Sequence, residues 1–581
     1  MKIPAFIFPL LLSTVVPTVF ALDPQGAQGT GFWRVEEGVD GFCSAVSPMG
    51  EKVFMRGVDH VSLYGSVGKK RGRRFHDMYL KKYGSKENWE AAQVARLQEA
   101  GFNLISIGSP RHRGIPHAIL LQMTEYMARS GRKDLYLSEF KGGPGQAFPN
   151  VFSVEFEGWC DRTAAKSCAP HRDDPDLFGY FIDNELAWKC LGTNDMEYVR
   201  KAAERYFSVT TAAIRRYDPN HLILGCRFAG IGGAPDVVWE VCGKYCDVVS
   251  FNCYPIADLD RATVRVGKMS VEEAFAGRHV LCRKPMMVTE WSFPATDSAL
   301  PCLHGAGQRY FCQSGRVAAS ELFATSMMRI PFLVGYDYFK WIDDPAEGYG
   351  PDFREDCNYG LFDIGDEPYR ELYSMFRRIH AKAGEIRRSP APESGEIRLR
   401  FAHDAAKFRK ALELIPATGS LELSKYADFV PTAEFFKNGR RIWERNGKGF
   451  SLEFEFVPVE GRPAVLVEFK RIVNTSNRTL DFRAVVFNVK PLFKCGERAK
   501  RYPHTAYTPM AEARFETDGT RYVGLVSRAP NLTEYAMARM KEPVLLGPGE
   551  SYVPELPAYY AIVAGADGRE GFERIAKELL K

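Results

Sequence analysis

The sequence predicts an α/β chain: a (β/α)8 barrel with a short N-terminal β hairpin and a C-terminal β-sandwich domain. Three observations point there. Between residues 53 and 386, short apolar runs alternate with helical periodicities. The extended runs before residue 53 are punctuated by Gly and Pro turns. Beyond "RRSPAPESGE", whose Pro and Ser mark a linker, the pattern becomes one of alternating β runs. A chain of 581 residues also exceeds one ordinary core, so several domains are expected. The divisions read are a leader over 1–21, a hairpin segment over 22–52, a catalytic barrel over 53–386 and a sandwich over 387–581.

Taken in order, "MKIPAFIFPLLLSTVVPTVFALD" has Lys2, an apolar stretch and then Val19-Phe20-Ala21, the layout of a secretory leader cleaved after Ala21. Export to the periplasm, the cell surface or the medium is therefore expected. Pro4, Pro9 and Pro17 break the stretch, which is short for a spanning helix, and nothing later is long and apolar enough to span a membrane. "GFWRVEEGVDGFCSAVSPMGEKVFMRGVDH" reads as a hairpin feeding a first core strand. Barrel strands are predicted at 53–59, 102–108, 134–139, 177–185, 222–227, 247–253, 285–291 and 333–341. Helical periodicities such as "KENWEAAQVARLQEAG" and "EYVRKAAERYFSVTTAAIRRYDP" separate them. A doubly wound open sheet would want a Gly-rich phosphate turn after the first strand, and "DHVSLYGSVGKK" is not one. The runs "SLEFEFVPV", "AVLVEFKRIV", "LDFRAVVFNV", "RYVGLVSRA" and "AYYAIVAG" carry the sandwich, with a terminal helix at 568–580.

Composition narrows the function classes. A net charge of +5 is mild for this length, and no basic stripe interleaved with aromatics suggests nucleic acid. Aromatic content of 13% suits a protein that handles flat sugar surfaces, although large cores also absorb aromatics. The 13 cysteines form no CxxC pair and no zinc spacing; Cys302 with Cys312, or Cys160 with Cys168, are near enough to pair, and buried free thiols are the default.

"GYFIDNELAW" poses the functional question, because an apolar run ends abruptly in Asp183, Asn184 and Glu185. A buried carboxylate without a partner is costly, so an acid closing a core strand needs a reason. Strand ends form the active face of such a barrel, and Glu290 closes "PMMVTE" on the seventh strand as Glu185 closes the fourth. Two carboxyls facing across the mouth are what glycosidic hydrolysis requires. Here residues 32–385 resemble the clan A glycoside hydrolases, nearest to the agarase-type branch (family 50 and relatives), through "DDPDLFGYFIDNELAW", "TEW", "PMGEKVFMRGVDHVS" and "NYGLFD".

The resemblance implies a retaining β-glycosidase needing no cofactor and acting on a galactose-containing carbohydrate. Glu185 would be the general acid/base and Glu290 the nucleophile, with Asn184 on the sugar 2-hydroxyl. Tyr254 would donate to the nucleophile and Asn252 would line the same rim. Trp341 would floor the sugar ring and Trp291 and Trp188 would offer further stacking surfaces, the alternative for each being barrel packing. Asp59 and His60 either grip hydroxyls of the terminal sugar, or Asp59 pairs with Arg56 or another base while His60 is structural. Arg227 either contacts substrate, holds Glu290 or forms a structural ion pair. Lys69, Lys70, Arg71, Arg73 and Arg74 are either a solvated charge run or an attractor of anionic polysaccharide, with the acidic loop after strand eight facing them. Asp343, Asp344 and Asp352 have no calcium-loop spacing, and no metal ligands are assigned. A metal-dependent hydrolase would want several strand-end histidines where only His60 stands. The alternatives kept are a non-catalytic carbohydrate-binding barrel and an exo-β-galactosidase-like enzyme.

Overall fold

A computed structural model describes residues 29–390 and 427–572, apart from 125–131, 133–134, 138–147, 260–261, 296–297, 303, 311–312, 348–354, 438–439, 459–463, 492–494, 499–510, 517–521, 527–535, 555–557 and 566–568. The expected leader, Cys312, Asp352 and most of the expected terminal helix lie outside the described residues.

Three antiparallel strands come first: β1 (Arg34–Glu37), β2 (Cys43–Val46) and β3 (Lys52–Val53). The chain then lays down β4 (Met55–Val58), β5 (Leu104–Ile105), β6 (His117–Leu120), β7 (Leu177–Phe181), β8 (Leu222–Ile223) and β9 (Val249–Asn252). A small antiparallel sheet follows, made of β10 (Ile256–Asp258), β11 (Thr263–Val266) and β12 (Met269–Ser270). Then come β13 (Met286–Glu290) and β14 (Leu333–Tyr338).

Eight strands pair in parallel in the order β8-β7-β6-β5-β4-β14-β13-β9. The two outer strands meet through backbone bonds: Val248 N–H donates to Ile223 O at 3.2 Å, Phe228 N–H to Ser250 O at 3.1 Å and Asn252 N–H to Phe228 O at 2.8 Å. A curled eight-stranded parallel sheet of this kind is the TIM-like arrangement, which displays its strand C-termini on one face.

The third strand is not where the sequence pattern put it. "DLYLSE" alternates apolar and polar residues, yet of that stretch only Leu135–Leu137 is described, and its one β contact is the bridge from Tyr136 to Pro149. The strand that fills the sheet is the four-residue "HAIL", whose His117 is polar and buried and so breaks the apolar signature.

Helices cover the barrel for local reasons. Ser85, Ser153, Asp195 and Ser270 cap the starts of Lys86–Glu99, Val154–Ser167, Met196–Tyr217 and Val271–Cys282 by accepting backbone N–H bonds. In Met196–Tyr217 the buried positions Val199, Ala202, Ala203, Tyr206, Phe207 and Thr210 recur at three- and four-residue spacing, so one stripe faces the sheet.

Inside the barrel, Met55, Leu104, Ala118, Phe178, Leu222, Val248, Met287 and Val334 form one apolar cluster. Trp33, Cys43 and Ala45 from the N-terminal strands join that same cluster, and the Trp33 and Phe178 rings meet edge-on at 5.7 Å. Among the described residues no helix is long and apolar enough to cross a membrane.

Past residue 427 all described strands are antiparallel. One sheet has the order β16 (Arg440–Arg445), β15 (Ala427–Lys437), β19 (Leu480–Pro491), β23 (Ala536–Leu546). The other runs β17 (Phe450–Pro458), β18 (Ala464–Asn474), β25 (Ala558–Gly565), β22 (Tyr522–Val526), β21 (Ala511–Glu516), β20 (Cys495–Arg498), with β24 (Ser551–Tyr552) also on β18. Rings from the two sheets touch: Phe435 with Phe450 at 4.8 Å and Phe482 with Tyr552 at 6.0 Å.

Candidate active site

The three polar residues that close β7 have separate fates. Asp183 is buried and fully engaged, its Oδ1 accepting from Thr124 N–H at 2.9 Å and its Oδ2 from Tyr206 O–H at 2.7 Å. It is the structural acid of the trio. Asn184 and Glu185 turn out into the mouth and remain accessible. Glu185 takes a left-handed backbone, φ 54°, while its N–H stays bonded to Arg227 O at 3.1 Å. Arg227 (φ 47°) and His60 (φ 61°) close their strands in the same conformation. Non-glycine residues held there are uncommon and cluster at functional sites.

Glu290, at the end of β13, faces Glu185 across Asn252 from β9. The amide nitrogen of Asn252 donates to Glu185 Oε1 at 2.8 Å and to Glu290 Oε2 at 2.9 Å. The two carboxylate oxygens therefore stand within two hydrogen-bond lengths of each other. Thr289 O–H donates to Asn252 Oδ1 at 3.1 Å and fixes which way the amide points. Glu290 also accepts from Tyr254 O–H at 2.7 Å on Oε1 and from Arg227 Nη2 at 3.0 Å on Oε2. Arg227 Nε donates to Asn184 Oδ1 at 2.8 Å, tying the Asn that precedes one glutamate to the support of the other.

Beneath this layer the charge is crowded. Arg227, Asp59 and Asp337 have no exposed surface. Arg227 Nη2 lies 3.3 Å from Asp59 Oδ2, and Nη1 lies 3.9 Å from Asp337 Oδ2, which also accepts from Ser106 O–H at 2.7 Å. Burial pushes the carboxyls up, Asp59 well above its usual range and Asp337 to about 7, with the Arg227 charge opposing both. Burial, reinforced by the neighbouring Glu290 carboxylate, also raises Glu185. It raises the Tyr254 hydroxyl well above its ordinary value, keeping it a donor, and lowers the His60 imidazole, helped by the Lys340 and Arg227 charges.

Glu185, Glu290, Asn184, Asn252, Tyr254, Arg227 and Asp59 thus form one connected group. Asn252, Arg227 and Asp59 are buried under the glutamates, however, and so support them instead of offering surface to a sugar. His60 stands half-buried beside them and demands Gly108 as a neighbour, since a Cβ there would meet His60 Nδ1 at 1.9 Å.

The tryptophans correct the sequence reading. Trp188, Trp291 and Trp341 have essentially no exposed surface. Trp188 packs on Phe148 and Phe207, Trp291 sits edge-on to Tyr336 and Tyr338, and Trp341 lies against Phe362 with its N–H given to Gln93 at 3.1 Å. They are barrel packing and not stacking platforms. The ring that packs beside the site is Phe339, next to His60, Tyr254 and Tyr359.

Asp343 and Asp344 are buried and partnered, Asp343 by Tyr369 O–H at 2.7 Å and Asp344 by Lys340 and Ser66. Lys69, Lys70, Arg71, Arg73 and Arg74 are exposed, and Arg74 reaches Glu347 of the acidic loop at 3.6 Å. Cys160 and Cys168 are buried free thiols; Cys302 lies with its sulfur 3.0 Å from that of Cys357.

Sequence reasoning missed Asp337, Lys340 and Glu355. Burial raises Glu355 to about 7 against the pull of Lys340, with Glu290, Asp344 and Glu185 adding to the rise. Asp337 carried a readable signal, an acid inside the apolar run "VGYDYF"; Glu355 lies in a loop without pattern.

No protein-family model matches the chain. It is 30% identical over 184 residues to β-agarase B and 31% identical over 197 residues to β-agarase A, both of Vibrio sp. (strain JT0107). These matches take in 32% and 34% of this chain but only 18% and 19% of those proteins, so the chain spans about a fifth of the curated relatives it matches. Among solved structures, it superposes on an agarase with a TM-score of 0.51 and 21% identity, covering 63% of this chain and 65% of that one. An exo-β-agarase gives a TM-score of 0.52 at 19% identity, covering 63% and 67%. Over a third of its length the chain is thus similar in sequence to two β-agarases, and over its larger part it shares the fold of solved agarase structures.

Proposed function

We propose that this protein is an exported, retaining β-glycoside hydrolase that cuts a galactose-containing polysaccharide of the agar type. The observation that carries the reading is the shared Asn252 amide, which holds an oxygen of Glu185 and an oxygen of Glu290 two hydrogen bonds apart. Retaining pairs stand about 5–5.5 Å apart, and inverting pairs about 6.5–9.5 Å, to leave room for water. The similarity to β-agarases supports the substrate class.

In this reading Glu290 attacks the anomeric carbon as the glycosidic C–O bond breaks, and Glu185 gives its proton to the departing oxygen. Water then gives a proton to Glu185 and attacks the same carbon, releasing Glu290 and restoring the acid. Burial of its carboxyl and the neighbouring Glu290 carboxylate raise the Glu185 pKa, the direction the first step requires. Asn184, accessible and braced by Arg227, would meet the sugar 2-hydroxyl. The domain reading goes with it: an N-terminal segment whose described strands β1–β3 close the foot of a barrel over 53–386, and a C-terminal domain whose two described sheets stack as a sandwich.

The test is the anomer first released from agar oligosaccharides, followed by NMR, together with Glu185→Ala. Retention is expected, and so is a loss of about 10²–10⁴-fold on natural linkages with a much smaller loss on activated aryl glycosides. Inverted product, or equal losses on both substrates, would remove the double-displacement assignment. No turnover of any galactoside would favour the binding-protein alternative.

A further inference from the structure

At the opposite end of the barrel from the glutamates, three side chains converge that the proposed chemistry does not use. His117 opens β6, with its N–H bonded to Asp176 O at 3.0 Å. His171 ends the short turn Ala169–His171, and Asp174 follows just before β7. Asp174 Oδ2 lies 3.8 Å from His117 Nε2 and 3.7 Å from His171 Nδ1, and one ligand atom from each residue falls within 4.8 Å of the others.

The hydrogen-bond accounting singles this place out. His117 is 4% exposed and Asp174 7% exposed, yet neither ring nitrogen of His117 nor Asp174 Oδ2 has a hydrogen-bond partner. Buried polar atoms are normally satisfied, and leaving several unmade in one spot is costly. The other atoms of Asp174 are all in use. Its Oδ1 accepts from Arg111 Nη2 at 2.8 Å and from Asp176 N–H at 3.1 Å, and its carbonyl meets His221 Nε2 at 2.7 Å. The unsatisfied oxygen is therefore the one near both imidazoles.

We propose that His117, His171 and Asp174 bind a divalent ion of the zinc class. Two imidazoles and one carboxylate are a donor set suited to that ion. Bonds of about 2.0–2.2 Å in a tetrahedron put neighbouring ligand atoms roughly 3.4 Å apart; the two spacings to Asp174, 3.8 and 3.7 Å, need to close by only tenths of an ångström, and the imidazole-to-imidazole spacing lies within 4.8 Å. The His171 side chain is 31% exposed, which gives the ion a way in and leaves a fourth position for water. Among the described residues Arg111 is the one opposing charge in ion-pair contact with Asp174, and it is shared with Asp176 at 3.4 Å. The ion would fasten the start of the third strand to the turn before the fourth, a structural role.

The experiment uses the full chain, stripped with chelator and dialysed against zinc chloride, with bound metal counted by mass spectrometry and melting followed with and without zinc. Wild type should keep about one equivalent more than His171→Ala and gain several degrees in Tm from zinc, and the alanine variant should gain none. His171→Cys should recover the equivalent and, loaded with cobalt, show the intense absorption of a thiolate-bound tetrahedral site. His171 is partly exposed, so both variants should fold, and matching circular dichroism checks it. Equal zinc in wild type and His171→Ala, or identical melting with and without zinc, would reduce the trio to a buried polar cluster and overturn the proposal.

Discussion

Asn252 gives one amide nitrogen to two carboxylates, and Thr289 prevents the amide from flipping. Hydrogen bonds to charged groups contribute about 1.5–3 kcal/mol. Asn252→Ala should therefore lower kcat/KM by roughly 10- to 150-fold while leaving the melting curve two-state. A variant with unchanged kinetics would mean that the bridge plays no part in turnover. Glu355 offers a second test, through pH. Its pKa rises from 4.5 to about 7 in the folded chain, chiefly by burial, so the native state holds a proton that the unfolded chain has already released. The protonated form contributes stability that is complete below about 4.5, is lost as pH climbs, and is gone past about 7. Glu355→Gln removes that dependence. Its Tm relative to wild type should rise between pH 5 and 7 and then level off; a difference that stays flat across this range would contradict the shifted pKa.

At the scale of strands, Arg227 joins four ends of the barrel. From the end of β8 it reaches Asn184 beyond β7, Asp59 beyond β4, Asp337 in β14 and Glu290 at the end of β13. Removing one partner of a buried ionic group strands the others and costs about 3–5 kcal/mol. Arg227→Met, which keeps volume but not charge, should lose that much in urea unfolding; a loss below about 1 kcal/mol would show that the acids simply protonate. This hub also marks the limit of what the pattern of residues could tell. Strands four, six, seven and eight were legible because each is a mostly apolar, buried run, as a parallel strand covered on both faces must be. Glu185 and Glu290 were legible because an acid closing such a run is conspicuous. "HAIL" was not, since four residues with a buried His look like a loop, and "DLYLSE" alternated as a strand should. Trp188, Trp291 and Trp341 misled because sequence places a residue near a strand end without saying which way it faces.

For the whole molecule, the described contacts tie the N-terminal strands and the helix after residue 383 into the barrel. Helix Ala383–Arg388 is stapled under it by Arg387, which donates to Met328 O at 3.1 Å, Cys43 O at 2.6 Å and Leu333 O at 3.1 Å. Its guanidinium also lies 4.8 Å from the rings of both Phe42 and Phe54. One side chain thus binds the last helix to the N-terminal strands and to β14, while Trp33 fills the barrel's lower apolar cluster. The unit that folds should therefore take in the N-terminal strands from Trp33 and the helix through Arg388, and so begin earlier than the 53–386 read from periodicity. A fragment over 29–390 should melt in one cooperative step and keep activity on short oligosaccharides. A fragment over 53–390 should not, because it loses Trp33, Cys43 and Ala45 from the core and leaves Arg387 short of an acceptor. Trp33→Ala in the full chain isolates the first term and should cost about 3–5 kcal/mol, the usual range for emptying a large aromatic site. If 53–390 melts as 29–390 does, the N-terminal strands decorate a barrel that is complete without them; if 29–390 fails while the full chain folds, the sheets beyond residue 427 are part of the barrel's own stability.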